Sequence, residues 1–226
     1  MDSAVFSVLK RSSLFAGIDE QEMKSMLSCL SAEQMTYSRG ESVLRCGDTV
    51  SAVGLVLTGS VNVVKEDYWG NRNIVAAISP GRTFAESYAC AGGAPLGVSV
   101  QAARDTEVLW LNLRKILTAC SSACAFHARL IRNLVSLLAS KNLLMNEKLT
   151  YLTQRTTKEK LLAYLSAESL RQNAADFSIP FDRQQLADYL SVDRSAMSNE
   201  LSKMRKAGIL RYEKNRFTLL QPMEAN

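Results

Sequence analysis

Residues 194–206, RSAMSNELSKMRK, concentrate hydrogen-bonding side chains at helical spacing. Met197, Leu201 and Met204 recur at i, i+4 and i+7 and define an inward face. Ser195, Ser198, Asn199 and Ser202 fall on the opposite face, flanked by Arg194 and Lys203. Such a face suits the edges of base pairs. Asparagine can bridge N6 and N7 of adenine, arginine can pair with O6 and N7 of guanine, and small hydroxyls let a helix approach closely in a major groove. Lys203, Arg205, Lys206, Arg211, Lys214 and Arg216 would add phosphate contacts, which supply affinity and register without reading sequence. Arg183, in the preceding helical segment, is a further candidate contact.

The flanking sequence holds such a face in place. In IPFDRQQLADYL, Asp182 and Gln185 have the spacing of a capping box, with Pro180 just before them. Leu186, Ala187 and Leu190 form the inward face, SVD makes a tight turn, and Asp193 caps the next helix. Helix, short turn, helix is the helix-turn-helix arrangement. GILRYEKNRFTLL then reads as a hairpin turning at Lys214–Asn215, the wing of a winged helix. An ordinary helical pair with a solvated polar face would share part of this pattern. The caps, the wing and the basic flank together favour a duplex partner.

The remaining elements fall into two textures. Glycines at 40, 47, 59, 70, 81 and 92 stand about ten residues apart. Between them lie the β-prone runs EQMTYS, ESVLRC, AVGLVLTG, SVNVVKED, NIVAAIS, VSVQAA and TEVLWLN, which predict an antiparallel sandwich or barrel. DYWGNR makes a hairpin tip, and two short helices near residues 3–11 and 20–30, the second capped by Asp19, precede the strands. From Arg114 onward glycine is absent until Gly208. Leu130, Leu134, Leu137 and Leu144 form one helical track; Ile131, Leu138, Met145, Leu149 and Leu152 form another. Two tracks make a stripe too wide for one contact, which favours a helix packing on its own domain and on a twin. Burial within a single domain is the other reading. Thr156 and Glu159 give a second capping box after a break at 153–156. The domains expected are 1–118, a long helix over 119–152, and 153–226.

A chain of 226 residues, 47% apolar, has room for two cores. Its net charge of +5 and pI near 9.0 permit an anionic partner without demonstrating one. No apolar run reaches membrane-spanning length and the start lacks a signal-peptide core, so a cytoplasmic protein with no membrane partner is expected. Five cysteines do not suggest a disulfide framework; buried or half-buried thiols are expected. Cys120, Cys124 and His127 share one helical face and could ligate a metal or haem, but no fourth ligand is evident. His127 is the single histidine and no glycine-rich phosphate loop is present, so neither catalysis nor a metal or cofactor is expected.

Taken in order, the β-roll, long helix and winged helix resemble the Crp/Fnr family of transcription regulators over nearly the whole chain. The resemblance is most specific in FDRQQLADYLSVDRSAMSNELSKMRKAGIL and extends to VGLVLTGSVNVV and PGRTFAES. It implies an α+β fold: an N-terminal antiparallel β-roll of the cyclic-nucleotide-binding-like jelly-roll type, a long dimerisation helix and a C-terminal winged helix-turn-helix. It implies a homodimer through the 126–152 helix on double-stranded DNA with a palindromic operator, and RNA polymerase as a further candidate partner. Arg194, Ser195 and Asn199 would occupy the family's base-reading positions; 195 is commonly glutamate in the family, so the operator preference is expected to differ.

Cyclic nucleotide binders of the family carry Gly-Glu after the phenylalanine and, further on, Arg-Ser for the cyclic phosphate. Here Ala85 replaces the glycine, Glu86 remains as a ribose-hydroxyl partner, and Leu96 and Gly97 stand where Arg-Ser belongs. A buried phosphate without that arginine would cost on the order of several kcal/mol. An unidentified small-molecule effector other than cyclic AMP is therefore expected, with Glu86, Ser87, Leu96 and Asn142 as candidate effector residues. Asn142 is equally readable as a polar residue at a dimer seam. The family's iron–sulfur sensors gather cysteines near the N-terminus, whereas Cys29 is isolated here. A redox, metal or haem sensor acting through protein contacts, with a degenerate DNA module, is the competing reading; the outward Arg194 and Asn199 argue against it.

Overall fold

The computed structural model describes residues 3–66, 68–69, 72–118 and 125–220. The chain divides into two compact units, one ending at Ser140 and the other beginning at Lys141.

The first unit opens with α1 (Ser3–Arg11), a 3-10 turn (Ser13–Phe15) and α2 (Glu20–Cys29). Asp19 caps α2 as expected, and Glu22 completes a capping box by returning a bond to the Asp19 amide. The strands β1 (Glu33–Tyr37), β2 (Ser42–Leu44), β3 (Ala52–Thr58), β4 (Val61–Glu66), β5 (Arg72–Ile78), β6 (Thr83–Phe84), β7 (Ser99–Ala102) and β8 (Thr106–Asn112) follow, with α3 (Glu86–Cys90) between β6 and β7 and α4 (Leu113–Leu117) after β8. Every β-prone run read from the sequence carries a strand. They form two antiparallel four-stranded sheets, ordered β1-β8-β3-β6 and β2-β7-β4-β5. Val56, Phe84 and Val108 from one sheet meet Val61 and Val100 from the other in a small inner core. A larger core joins β3 and β8 to α1, α2, α4 and Leu130 and Leu134 of α5 (Ala125–Leu152).

One turn shows why glycine punctuates the roll. Gly59 has φ +76°, and a Cβ there would lie 2.2 Å from the Asp105 carbonyl oxygen, so a side chain is excluded by conformation and space together.

The second unit holds the end of α5, then α6 (Thr157–Gln172), β9 (Asp176–Ser178), α7 (Arg183–Leu190), α8 (Arg194–Lys206), β10 (Leu210–Glu213) and β11 (Arg216–Leu219). The expected box at Thr156 and Glu159 starts α6. Arg171 Nη2 of α6 donates to both carboxylate oxygens of Glu147 of α5 at 2.8 and 2.7 Å, while its Nη1 pairs with the buried Glu168. Charge-assisted bonds of this kind are stronger than neutral ones, and two carboxylates share the one guanidinium. Wing strands β10 and β11 pair around Lys214–Asn215, and β9 adds a third strand that the sequence reading lacks. The α+β class and its three parts are as expected. No described helix is long and apolar enough to cross a membrane.

Candidate nucleic-acid interface and sensor site

Met197, Leu201 and Met204 are fully or almost fully buried and anchor α8 against Leu186, Ala187 and Leu190 of α7. Both helix starts are satisfied locally. The Asp182 carboxylate accepts from the Gln185 amide and the Asp182 amide donates in return to Gln185 Oε1, while Asp193 accepts from the Ala196 amide at 2.7 Å. Ser191, at φ +51°, supplies the left-handed residue that ends α7 and turns the chain into α8.

With that inner face fixed, Arg194, Ser195, Asn199 and Lys203 are exposed. Ser198 and Ser202 are only half-exposed. Their hydroxyls donate to the carbonyls of Arg194 and Ser198 at 2.9 and 3.0 Å, and Ser202 Oγ also lies 3.5 Å from Tyr212 Oη. The outward chemistry therefore rests more on Arg194, Ser195 and Asn199 than on the later serines.

Arg183 is placed differently from a free surface cation. Its guanidinium carbon stacks 4.5 Å from the Tyr212 ring centroid and 5.1 Å from that of Phe217, and burial holds its pKa below the usual arginine value. This contact fastens the start of α7 to the wing. Arg216 grips Asp176 through two 2.8 Å bonds that join β11 to β9, and the same pairing lowers the Asp176 pKa. Arg205 also lies over the Tyr212 ring, 5.1 Å from its centroid. Lys206, Arg211 and Lys214 remain exposed around α8 and the wing. Long-range partners such as Asp176 and Tyr212 leave no local sequence signal, which is why Arg183 and Arg216 looked alike with the others.

The sensor positions lie in the first unit, apart from Asn142. Glu86 begins α3 and is buried, Ser87 is exposed, and Leu96 is only 2% exposed. Leu96 is held by its backbone, donating to the Asp48 carbonyl and accepting from the Gly47 amide, both at 2.8 Å. A Cβ on Gly97 would come within 3.1 Å of Tyr88 Oη, the group to which the Gly97 amide donates. Ala85 occupies the left-handed region at φ +64°, ψ 0°, where an alanine is strained and a glycine would not be. A separate cavity of about 530 Å³ is lined by Val50, Ala89, Cys90, Leu113, Arg114 and Leu117 among others, and by none of the four candidate effector residues. Asn142 belongs to the second unit, is exposed, and accepts from Asn146 Nδ2 at 3.0 Å.

Cys120 and Cys124 lie outside the described residues. His127 is buried beside Phe126, their ring centroids 5.7 Å apart. Among the described residues no group of three or more His, Cys, Asp or Glu side chains could hold a metal. Cys29, Cys46 and Cys90 are exposed instead of buried or half-buried, because two of them end short helices and the third sits in a surface loop.

A β-roll, a long helix and a winged helix with an outward polar recognition face define a two-unit, DNA-binding class of regulator. Residues 34–123 match the cyclic nucleotide-binding domain family and 159–224 the Crp-like helix-turn-helix domain family. The cyclic AMP receptor protein of Thermus thermophilus is 25% identical over 203 residues, covering 90% of each chain. The crystal structure of the Thermus thermophilus catabolite activator protein superposes with a TM-score of 0.51 at 25% identity, over 92% of this chain and 93% of that one. The global regulator CLP of Xanthomonas campestris shares the fold, with a TM-score of 0.56 at 16% identity over 88% of this chain and 100% of that one. The chain belongs to the Crp/Fnr family of transcription regulators.

Proposed function

We propose that the protein is a homodimeric, sequence-specific DNA-binding regulator in which Arg194, Ser195 and Asn199 read base edges. The observation that carries this reading is the polarity of α8: three buried apolar residues behind, and exposed Arg194, Ser195, Asn199 and Lys203 in front. Lys203, Lys206, Arg211 and Lys214 then neutralise phosphates, which makes affinity fall with salt. Ser198 and Ser202 contribute close approach, while Arg183 acts chiefly by holding the wing against α7.

The β-roll is the sensing part, and its effector is a small molecule other than cyclic AMP. A relative at 25% identity is named a cyclic AMP receptor protein. In this chain, however, the position where the family's phosphate-binding arginine belongs holds a buried leucine, Leu96. An anion placed there would lose its charge-assisted partner.

The test uses duplexes selected by the protein from a random pool, compared with unselected duplexes. Asn199→Ala should lose about 1–3 kcal/mol on selected DNA and relax choice at one base pair per half-site, with little change on unselected DNA. Lys203→Ala should weaken both pools alike and reduce the salt slope by about 1. Equal losses on both pools for Asn199→Ala would overturn the base-reading assignment. Separately, millimolar cyclic AMP should leave the melting temperature unchanged; a ligand present at about 100 times its Kd would add about 2.7 kcal/mol.

A further inference from the structure

Helix α5 carries exposed apolar residues along its second half. Val135, Met145 and Leu149 are 59%, 67% and 51% exposed, and Leu138 and Leu152 are half-buried, Leu138 with part of its surface against its own unit's core. Together with Asn142 these residues stand at 135, 138, 142, 145, 149 and 152, alternating steps of three and four. That is the a/d stripe of a two-stranded coiled coil, with Val135, Asn142 and Leu149 at a and Leu138, Met145 and Leu152 at d. Leu143 and Leu144 are exposed too but stand off the stripe.

We propose that Asn142 fixes the register and the parallel orientation of the pairing between two copies of α5. The inference rests on the homodimer reading above and adds to it which residue sets the alignment. One polar a residue in an otherwise apolar stripe is satisfied when it meets its own twin, and in a two-stranded coil only a parallel, in-register pairing brings a against a. Asn142 Oδ1 already accepts from Asn146 Nδ2, so its NH₂ is left to donate to the facing amide oxygen.

The charges agree with that orientation. Lys141 and Lys148 fall at g, and in a parallel coil they face the e positions, Asn146 and Thr153, which carry no charge. An antiparallel coil would set Asn142 against an apolar d residue and turn the g lysines of the two copies toward each other. Lys148 also lies 4.8 Å from its own Tyr189 ring centroid, which draws it away from the seam. Shifting the parallel register by one heptad buries each Asn142 amide against an aliphatic a residue, an unpaired polar group in an apolar setting.

Asn142→Ile tests this with the full-length protein, by sedimentation velocity across a dilution series. The wild type should be a single dimeric species. The variant should associate at least about tenfold more tightly and populate species larger than dimers, because an uninterrupted apolar stripe no longer selects two strands. Asn142→Leu, tested alongside, should behave in the same direction. Cysteine introduced at Met145 should cross-link to its twin in the wild-type background and do so less completely when Asn142→Ile is added. A dimeric variant with unchanged or weaker association would overturn the role of Asn142 while leaving the dimer standing. A monomeric wild type would remove the dimer reading itself, and this role with it.

Discussion

The proposed recognition helix and the proposed effector position of the β-roll occupy opposite situations. On α8, the proposed base-reading side chains stand in front of a face already closed by Met197, Leu201 and Met204, so they can change without disturbing anything beneath. At the sensor position, Glu86 and Leu96 are themselves buried, and Ala85 holds a strained backbone that turns the chain into α3. A site displayed on a finished element can drift in specificity at little structural cost. A site that forms part of a core cannot, so a change of ligand there must be accompanied by repacking. The departures from the family pattern fit that division: one exposed serine on α8, but three positions, 85, 96 and 97, in the roll.

Substituting family-type residues into each region sharpens the contrast. Leu96→Arg should destabilise the roll by about 3 kcal/mol, since it buries a guanidinium where a leucine side chain is packed, measured as a lowered melting temperature of the purified chain. An unaltered melting temperature would mean that the site has room and polarity for a charge. Ala85→Gly should act the other way. Relief of the left-handed alanine outweighs the added freedom of the unfolded chain by up to about 1 kcal/mol, seen as a higher denaturation midpoint with an unchanged slope. Ser195→Glu should have the smallest effect on stability, within about 0.5 kcal/mol, because the residue is exposed and a carboxylate suits the first turn of a helix. Its effect should fall on base preference, read as a different consensus in a duplex selection. A large stability change at 195 would erase the distinction between the two regions.

The same division explains what could be read before any coordinates. Caps announce themselves over three or four residues, so Asp19, Thr156, Asp182 and Asp193 were all legible, as were the strands and the inward face of α8. Two short strands were not. β6 has two residues and β9 has three, and each exists because a longer strand lies beside it, β3 in one case and β11 in the other. Arg183 and Arg216 belong to the wing's internal framework through Tyr212, Phe217 and Asp176, partners 29 to 40 residues away that no periodicity discloses. The sensor residues were placed by resemblance alone, and the structure adds to them the burial of Leu96 and the conformation of Ala85.

The most direct test of the account is selection of duplexes by the purified protein from a random pool, followed by sequencing of the bound fraction. Two α8 helices presented by a parallel pair predict an inverted repeat whose half-site centres lie about 10 bp apart, or a multiple of that spacing. Recovery of single half-sites without a symmetric mate, or of no enriched sequence at all, would contradict it.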